Sequence, residues 1–402
     1  RVGNRSVPGS YVSIHYNRKP ILELAKNFNK ETRVSIASVT KPFTAIAVMQ
    51  LVDRQYIQLD QNVSDYIPEL KNLHSTGREI KVKDLLYQTS GIPYRSRIGT
   101  LSVKTDLFFL NVPVPVHPPG THFEYSNFNY IILAKLIQTV TGKSYADYIQ
   151  QNIFTPLEMK HSDASRSTGA GGIISTAEDL IHFASMLSSG GIYNQKRLIS
   201  NNGFQLMFSV PEYMNEKENL FYYGMGFRVI HSRGKTAAFY HTGIHKGTLA
   251  EFKIYPQNRS FIVHVSNPPN PKNPSADDYR WKMMSYFNDY VSNVFTPENT
   301  IAPRNLHPSL PDESDYSKYS GIYINQANSN KIKIIKKRNT IYRINNKFLE
   351  RLKPLNSIEF QSSNRYYPYQ FVWNDQQVTG LSTADGFYKR FQNEQIRSKE
   401  PN

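Results

Sequence analysis

IASVTKPFTAIAVMQLVDRQ, residues 36–55, decides the fold. Phe43, Ile46, Ala47, Met49 and Leu51 leave it apolar nearly all round. The stretch therefore predicts a helix from Ser38 to about Gln55 that is buried on every side. Pro42 falls in its first turns, where a missing N–H costs least. Residues three apart share a helical face, which puts the Lys41 amine beside the Ser38 hydroxyl. A serine hydroxyl attacks a carbonyl at neutral pH only with a base in reach. At a helix start it also meets partial positive charge that stabilises a developing anion. An amine among apolar side chains has its ammonium form disfavoured, which suits it to take a proton.

Two later triplets bring further groups. Tyr125-Ser126-Asn127 offers a phenol and an amide, and His241-Thr242-Gly243 offers an imidazole beside a residue with no side chain. Either alone says little, because loop tyrosines and asparagines usually satisfy backbone groups and strand histidines usually pack. A second Ser-x-x-Lys, Ser232 to Lys235, reads as a hairpin turn, where the two side chains share no helical face. It is set aside. The other three motifs, in this order and at these spacings, suit one cleft and point to acyl transfer through a serine.

The surrounding pattern is mixed. Residues 9–16 and 20–27 predict a β-hairpin. Helices are expected over 79–91, ended by Gly91, over 128–150 with a break near Gly142, and over 176–189. Thr176 with Asp179 three residues on makes a capping-box-like start for the last of these. Residues 100–120 read as an irregular loop. GMGFRVI, LAEFKIYP and SFIVHVS, between 221 and 267, predict three strands, and a helix is expected near 277–293. Strands flank a helical middle, so the class is α+β, with an antiparallel sheet drawn from both ends of this region. Proline-rich residues 297–315 suggest a linker between a first domain, 1–296, and a second, 316–402. The second shows short strands, turn signals and many tyrosines, and reads as a small antiparallel barrel or sandwich, the barrel being of lipocalin-like kind.

Bulk properties exclude several classes. At 402 residues the chain exceeds what one hydrophobic core usually spans. No run of about 18 apolar residues occurs, so no transmembrane segment is expected. Arg1 opens a polar segment, so the chain reads as a mature or trimmed product without its signal segment. Cysteine is absent, which is compatible with an extracytoplasmic place: secreted, periplasmic or at the cell envelope. A net charge of +16 attracts polyanions, which makes anionic cell-envelope polymers a partner class. No nucleic-acid-binding motif accompanies that charge. The run Lys331, Lys333, Lys336, Lys337, Arg338 alternates with isoleucines and reads first as the solvent face of a strand. No His/Asp/Glu cluster has ligand spacing, and His161 and Asp163 stand isolated, so neither metal nor cofactor is expected.

The motifs sit in longer blocks: 36–70, IKVKDLLYQTSGIP at 80–93, the stretch 118–159 around Tyr125, GAGGIISTAEDLIHF at 169–183 and YYGMGF at 222–227. Together they resemble the serine β-lactamase/penicillin-binding fold family, in its class C-like branch. That branch also holds D-aminopeptidases, D-alanyl-D-alanine carboxypeptidases and family VIII esterases. Residues 316–391 are similar to the accessory barrel of many members. Gln88 stands where many relatives have His, the connection from Met159 to Gly169 is short, and His241 replaces the Lys of β-lactamases.

The resemblance implies that Ser38 becomes acylated and that Lys41 and Tyr125 share the base role. It makes Tyr125 the donor to the leaving group and has Asn127 orient Lys41 and bind the substrate amide. A phenol beside a lysine is expected to have its pKa drawn toward neutrality. Backbone N–H groups of Ser38 and Ile244 are implied as oxyanion donors. Thr242 and Gly243 belong to the same substrate-binding strand, with Gly243 letting substrate lie close. His241 is implied to bind a substrate carboxylate or to assist proton transfer. The expected activity is hydrolysis of D-amino-acid peptides or esters. A β-lactamase or penicillin-binding DD-peptidase, and a non-catalytic binder of anionic envelope polymers, are the alternatives.

Overall fold

The computed structural model describes residues 9–71, 73, 77–93, 112–212, 221–232, 235–245, 247–267, 313–325, 331–338, 340–345, 348–354, 359–362, 369–374, 377–383 and 386–390. The chain divides into two compact units, Arg1–Arg280 and Trp281–Asn402. The helix expected at 277–293 and most of the 297–315 segment lie outside the described residues.

In the first unit the elements run β1 Gly9–Tyr16, β2 Lys19–Lys26, β3 Val34–Ser35, α1 Thr40–Asp53, α2 Val82–Leu86, α3 Asn127–Thr141, α4 Tyr145–Ile149, β4 Ile174–Ser175 and α5 Ala177–Ser188. They continue with β5 Ile192–Tyr193, β6 Lys196–Arg197, α6 Asn201–Leu206, β7 Phe221–Tyr223, β8 Arg228–Ser232, β9 Lys235–His245, β10 Thr248–Tyr255 and β11 Ser260–Asn267. Seven strands form one sheet in the order β2-β1-β11-β10-β9-β8-β7, with every pairing antiparallel.

Helix α1 is buried from Thr40 to Leu51, as a helix without a polar face must be. Phe43 stacks on Phe183 of α5 with centroids 3.9 Å apart, and Phe183 meets Phe252 of β10 edge-on at 5.7 Å. Helix, helix and sheet thus share one core. The hairpin β1–β2 and the Thr176 cap follow the sequence, the Thr176 hydroxyl accepting from Asp179 N at 3.1 Å. Asp179 does not reach back to Thr176. Its carboxylate instead accepts from His161 N and Ser162 Oγ.

Several expectations are corrected. Ser38 lies in a 3-10 turn, Ala37–Val39, and α1 begins only at Thr40. Helix α2 is five residues long and ends before Gln88, which takes a positive φ of 63°. GMGF is not strand: β8 starts at Arg228, and the third motif rides on β9, an eleven-residue strand absent from the three expected.

The second unit begins with a 3-10 helix, Glu313–Tyr319, and continues as β12 Gly321–Asn325, β13 Lys331–Lys337, β14 Thr340–Asn345, β15 Phe348–Pro354, β16 Glu359–Ser362, β17 Tyr369–Asn374, β18 Gln377–Thr383 and β19 Gly386–Arg390. Pairing of β12 with β19 closes these eight strands into a barrel, which removes every free edge. Ile332 and Ile334 point inward while Lys331, Lys333 and Lys337 are exposed. The lysine run is therefore an outer face of a strand.

Two glycines of the first unit separate backbone strain from crowding. Gly142 ends α3 at φ 69° with open space around its missing Cβ, whereas a Cβ on Gly169, φ 82°, would lie 2.5 Å from Ala134 Cβ and from Tyr130 O. Gly142→Ala is expected to cost about 1 kcal/mol of unfolding free energy. Gly169→Ala should cost about 2–4 kcal/mol, because overpacking adds to strain. Urea unfolding followed by circular dichroism tests this, and equal losses would refute the distinction.

Candidate active site

The Lys41 amine is the centre of the site. It is wholly buried, and its Nζ lies 2.7 Å from Asn127 Oδ1, 2.8 Å from the Ala170 carbonyl and 3.2 Å from Ser38 Oγ. Three acceptors match the three N–H bonds of an ammonium. Ser38 is only half-buried, so the hydroxyl is reachable while the amine behind it is not.

Each partner is delivered by a distinct device. Ala37, just before Ser38, takes a left-handed φ of 47°, a strained conformation for a non-glycine residue. Asn127 is the first residue of α3, and its neighbours are pinned by Gln88, whose Oε1 accepts from Ser126 N at 2.9 Å and from Asn129 Nδ2 at 2.6 Å. The Ala170 carbonyl reaches Lys41 because flanking Gly169 and Gly172 take φ of 82° and 100° with no room for a Cβ.

Tyr125 places its ring under the same amine, Nζ lying 4.9 Å from the ring centroid. Its hydroxyl is buried beside Ser38 without a well-aligned hydrogen bond. Burial pushes the phenol pKa up to about 12, although the Ser38 hydroxyl and the Arg228 charge pull it down. The expected drift toward neutrality is thus reversed: desolvation outweighs the Ser38 hydroxyl and the Arg228 charge.

The third motif lies on β9. His241 is fully buried and Gly243 packs on the turn that carries Ser38. A Cβ on Gly243 would stand 2.0 Å from Ile36 O and 2.9 Å from Ser38 N. The glycine thus serves the approach of the strand to the Ser38 turn. By strand alternation Thr242 and Ile244 turn their side chains to the face opposite that of His241. Strand β8 pairs with β9 only as far as Arg228 opposite Tyr240. From His241 to His245, β9 is paired on its β10 side.

Ser38, Lys41, Tyr125, Asn127, His241 and Gly243 therefore converge. Sequence reasoning missed Tyr223 and Arg228. The Tyr223 hydroxyl lies 3.1 Å from His241 Nε2. The Arg228 charge bears on Tyr125, Tyr223 and His241 together. Tyr223 lay inside the noted YYGMGF block and Arg228 directly after it, but neither had a spacing that marked it. Among the described residues no group of three His, Cys, Asp or Glu side chains could hold a metal, and no helix is long and apolar enough to cross a membrane.

The family model described as Beta-lactamase matches residues 1–283. Protein flp of Staphylococcus aureus (strain MW2) is 33% identical over 172 residues, covering 39% of this chain and 34% of the relative. The chain thus spans about a third of the length of this curated relative. Among solved structures, the octameric penicillin-binding protein homologue from Pyrococcus abyssi superposes with a TM-score of 0.63 at 21% identity, over 96% of both chains. A D-stereospecific amidohydrolase from Streptomyces sp. superposes with a TM-score of 0.55 at 22% identity, over 65% of this chain and 89% of its own. Both likenesses concern the fold.

The contact between β9 and the Ser38 turn leaves no room for a methyl group. Gly243→Ala must push the two apart, and fluorophosphonate labelling of Ser38 is expected to slow by about 10²-fold, the usual effect of an ångström-scale misplacement. A labelling rate equal to that of the unaltered protein would show that strand and turn are independent.

Proposed function

The chain belongs to the Beta-lactamase family, a family of serine hydrolases, and we propose that it hydrolyses D-amino-acid-containing peptides or esters through an acyl-enzyme on Ser38. The observation that carries this is the Lys41 amine, 3.2 Å from Ser38 Oγ and held there by Asn127. In its neutral form Lys41 takes the Ser38 proton as Oγ attacks the carbonyl carbon. The carbonyl oxygen becomes an oxyanion, stabilised by the backbone N–H groups of Ser38 and Ile244. Tyr125 gives its proton to the leaving oxygen or nitrogen as that bond breaks, and is reprotonated from Lys41. Water then attacks the acyl-enzyme, losing one proton to this same amine–phenol pair, and Ser38 leaves with a proton.

The raised Tyr125 pKa supports its role as donor, since a phenol that is protonated at rest has a proton to give. His241 in place of a lysine supports peptidase or esterase activity over β-lactamase activity. The absence of cysteine and the charge of +16 support work outside the cytoplasm, near anionic envelope polymers.

A panel of p-nitrophenyl esters, D-amino-acid anilides and a chromogenic cephalosporin tests the proposal. Ser38→Ala should abolish turnover, and mass spectrometry should find the acyl adduct on Ser38 alone. Adduct formation elsewhere, or none with any substrate, would sink the proposal. Tyr125→Phe should lower kcat by about 10²–10⁴-fold.

The pH profile follows from the same shift. Activity needs the protonated phenol, and a pKa raised to about 12 keeps it protonated through the neutral and mildly alkaline range. No alkaline loss from Tyr125 is therefore expected below about pH 10. An alkaline limb below that pH that disappears in Tyr125→Phe would contradict the assignment.

A further inference from the structure

Both ring nitrogens of His241 are committed. Nδ1 lies 2.8 Å from the Thr242 carbonyl oxygen, which only accepts, so Nδ1 carries the hydrogen. Nε2 lies 3.1 Å from the Tyr223 hydroxyl. In a neutral ring Nε2 is then the acceptor and Tyr223 the donor. The imidazolium form would place a positive charge beside Lys41 and Arg228 on a ring that is itself shut off from water. Burial first, then those two charges, hold the His241 pKa well below its ordinary value, against a smaller upward pull from Thr242. The other groups facing the ring are the Tyr223 and Tyr125 phenols, with apolar Phe252 opposite on β10.

The Tyr223 ring, buried and held in this way, packs on the second motif. It stands edge-on to Tyr125 with centroids 5.9 Å apart, and lies against Phe123 at 5.8 Å. The Tyr125 hydroxyl makes no well-aligned hydrogen bond that would fix it, so ring contacts set where that phenol lies.

We infer that His241 is not a substrate ligand but the acceptor that fixes Tyr223, and that Tyr223 is the positioning residue that holds the Tyr125 phenol beside Ser38. This rests on the proposed role of Tyr125 in catalysis. It also means that the third motif offers a substrate carboxylate no cation. Selectivity against or for a carboxylate must then come from elsewhere in the cleft.

The test uses the full chain with 15N-labelled histidine. NMR should show His241 as the neutral Nδ1–H form from about pH 5 to pH 9. Tyr223→Phe should shift its Nε2 resonance and lower kcat about 10-fold with KM for a neutral ester unchanged. His241→Gln should reduce kcat/KM equally for a neutral ester and for its carboxylate-bearing analogue. A ring that titrates near its ordinary pKa or carries its hydrogen on Nε2, kinetics unaffected by Tyr223→Phe, or a loss confined to the carboxylate substrate would each overturn the inference. If no ester is turned over, the catalytic proposal fails by itself. The NMR result on the unaltered protein then still decides the His241–Tyr223 pairing.

Discussion

A buried amine holds this site together. Removing an ammonium from water costs several kcal/mol unless each N–H finds an acceptor. Lys41 finds three, from three separate parts of the chain: Ser38 in the turn before α1, Asn127 at the start of α3, and the Ala170 carbonyl in a glycine-flanked loop. None of these is near another in sequence, so the amine makes their convergence a condition of stability as well as of chemistry. The same requirement explains why α1 is buried all round. A helix with one solvent face would let water reach the amine from the side.

Electrostatics then sorts the protons. Lys41 and Arg228 both influence the surrounding rings, yet the phenols do not ionise more easily for it. Tyr125 is pushed up to about 12, and Tyr223 and Tyr130 stand well above the ordinary phenol value, in each case chiefly through burial. His241 is driven the other way because burial and both cations act on it with the same sign. Around neutral pH the Tyr125, Tyr223 and His241 rings are therefore all neutral. In the proposed mechanism the Lys41 nitrogen, in its neutral form, is the base nearest to the Ser38 proton, and the proton for a leaving group is the one on Tyr125.

What the sequence made legible follows from where the information lies. The helix that carries Lys41 shows in its unbroken apolar pattern, and helical spacing anticipated the Ser38–Lys41 contact, although Ser38 makes it from a 3-10 turn before α1. The antiparallel sheet drawn from both ends of the first unit was readable from alternation and turn residues. Strand β9 was anticipated only at its third motif, because KTAAFYHTGIH mixes small, aromatic and polar residues without a clean period of two. The Ala170 carbonyl leaves no side-chain signature, although the glycines around it do. The upward shift of Tyr125 was misjudged because its sign depends on how completely the ring is desolvated, and that is a property of packing rather than of neighbours in a motif. Tyr223 became visible as part of the site only once the fold brought its hydroxyl to His241 of β9.

Gly243 shows how little freedom that packing leaves. The sheet brings β9 over the Ser38 turn, and a strand can settle on a turn at this distance only where one residue lacks a Cβ. On the opposite side the turn itself is bent through Ala37 at φ 47°, a conformation that costs a residue with a Cβ roughly 1–2 kcal/mol. A relaxed turn would carry Ser38 away from the strand, and a side chain at 243 would carry the strand away from Ser38. The strain at Ala37 and the missing side chain at Gly243 are two sides of one close contact. That contact sets the distance between Ser38 and the strand, and it persists because the Lys41 amine, tied to three partners, does not let the turn unwind.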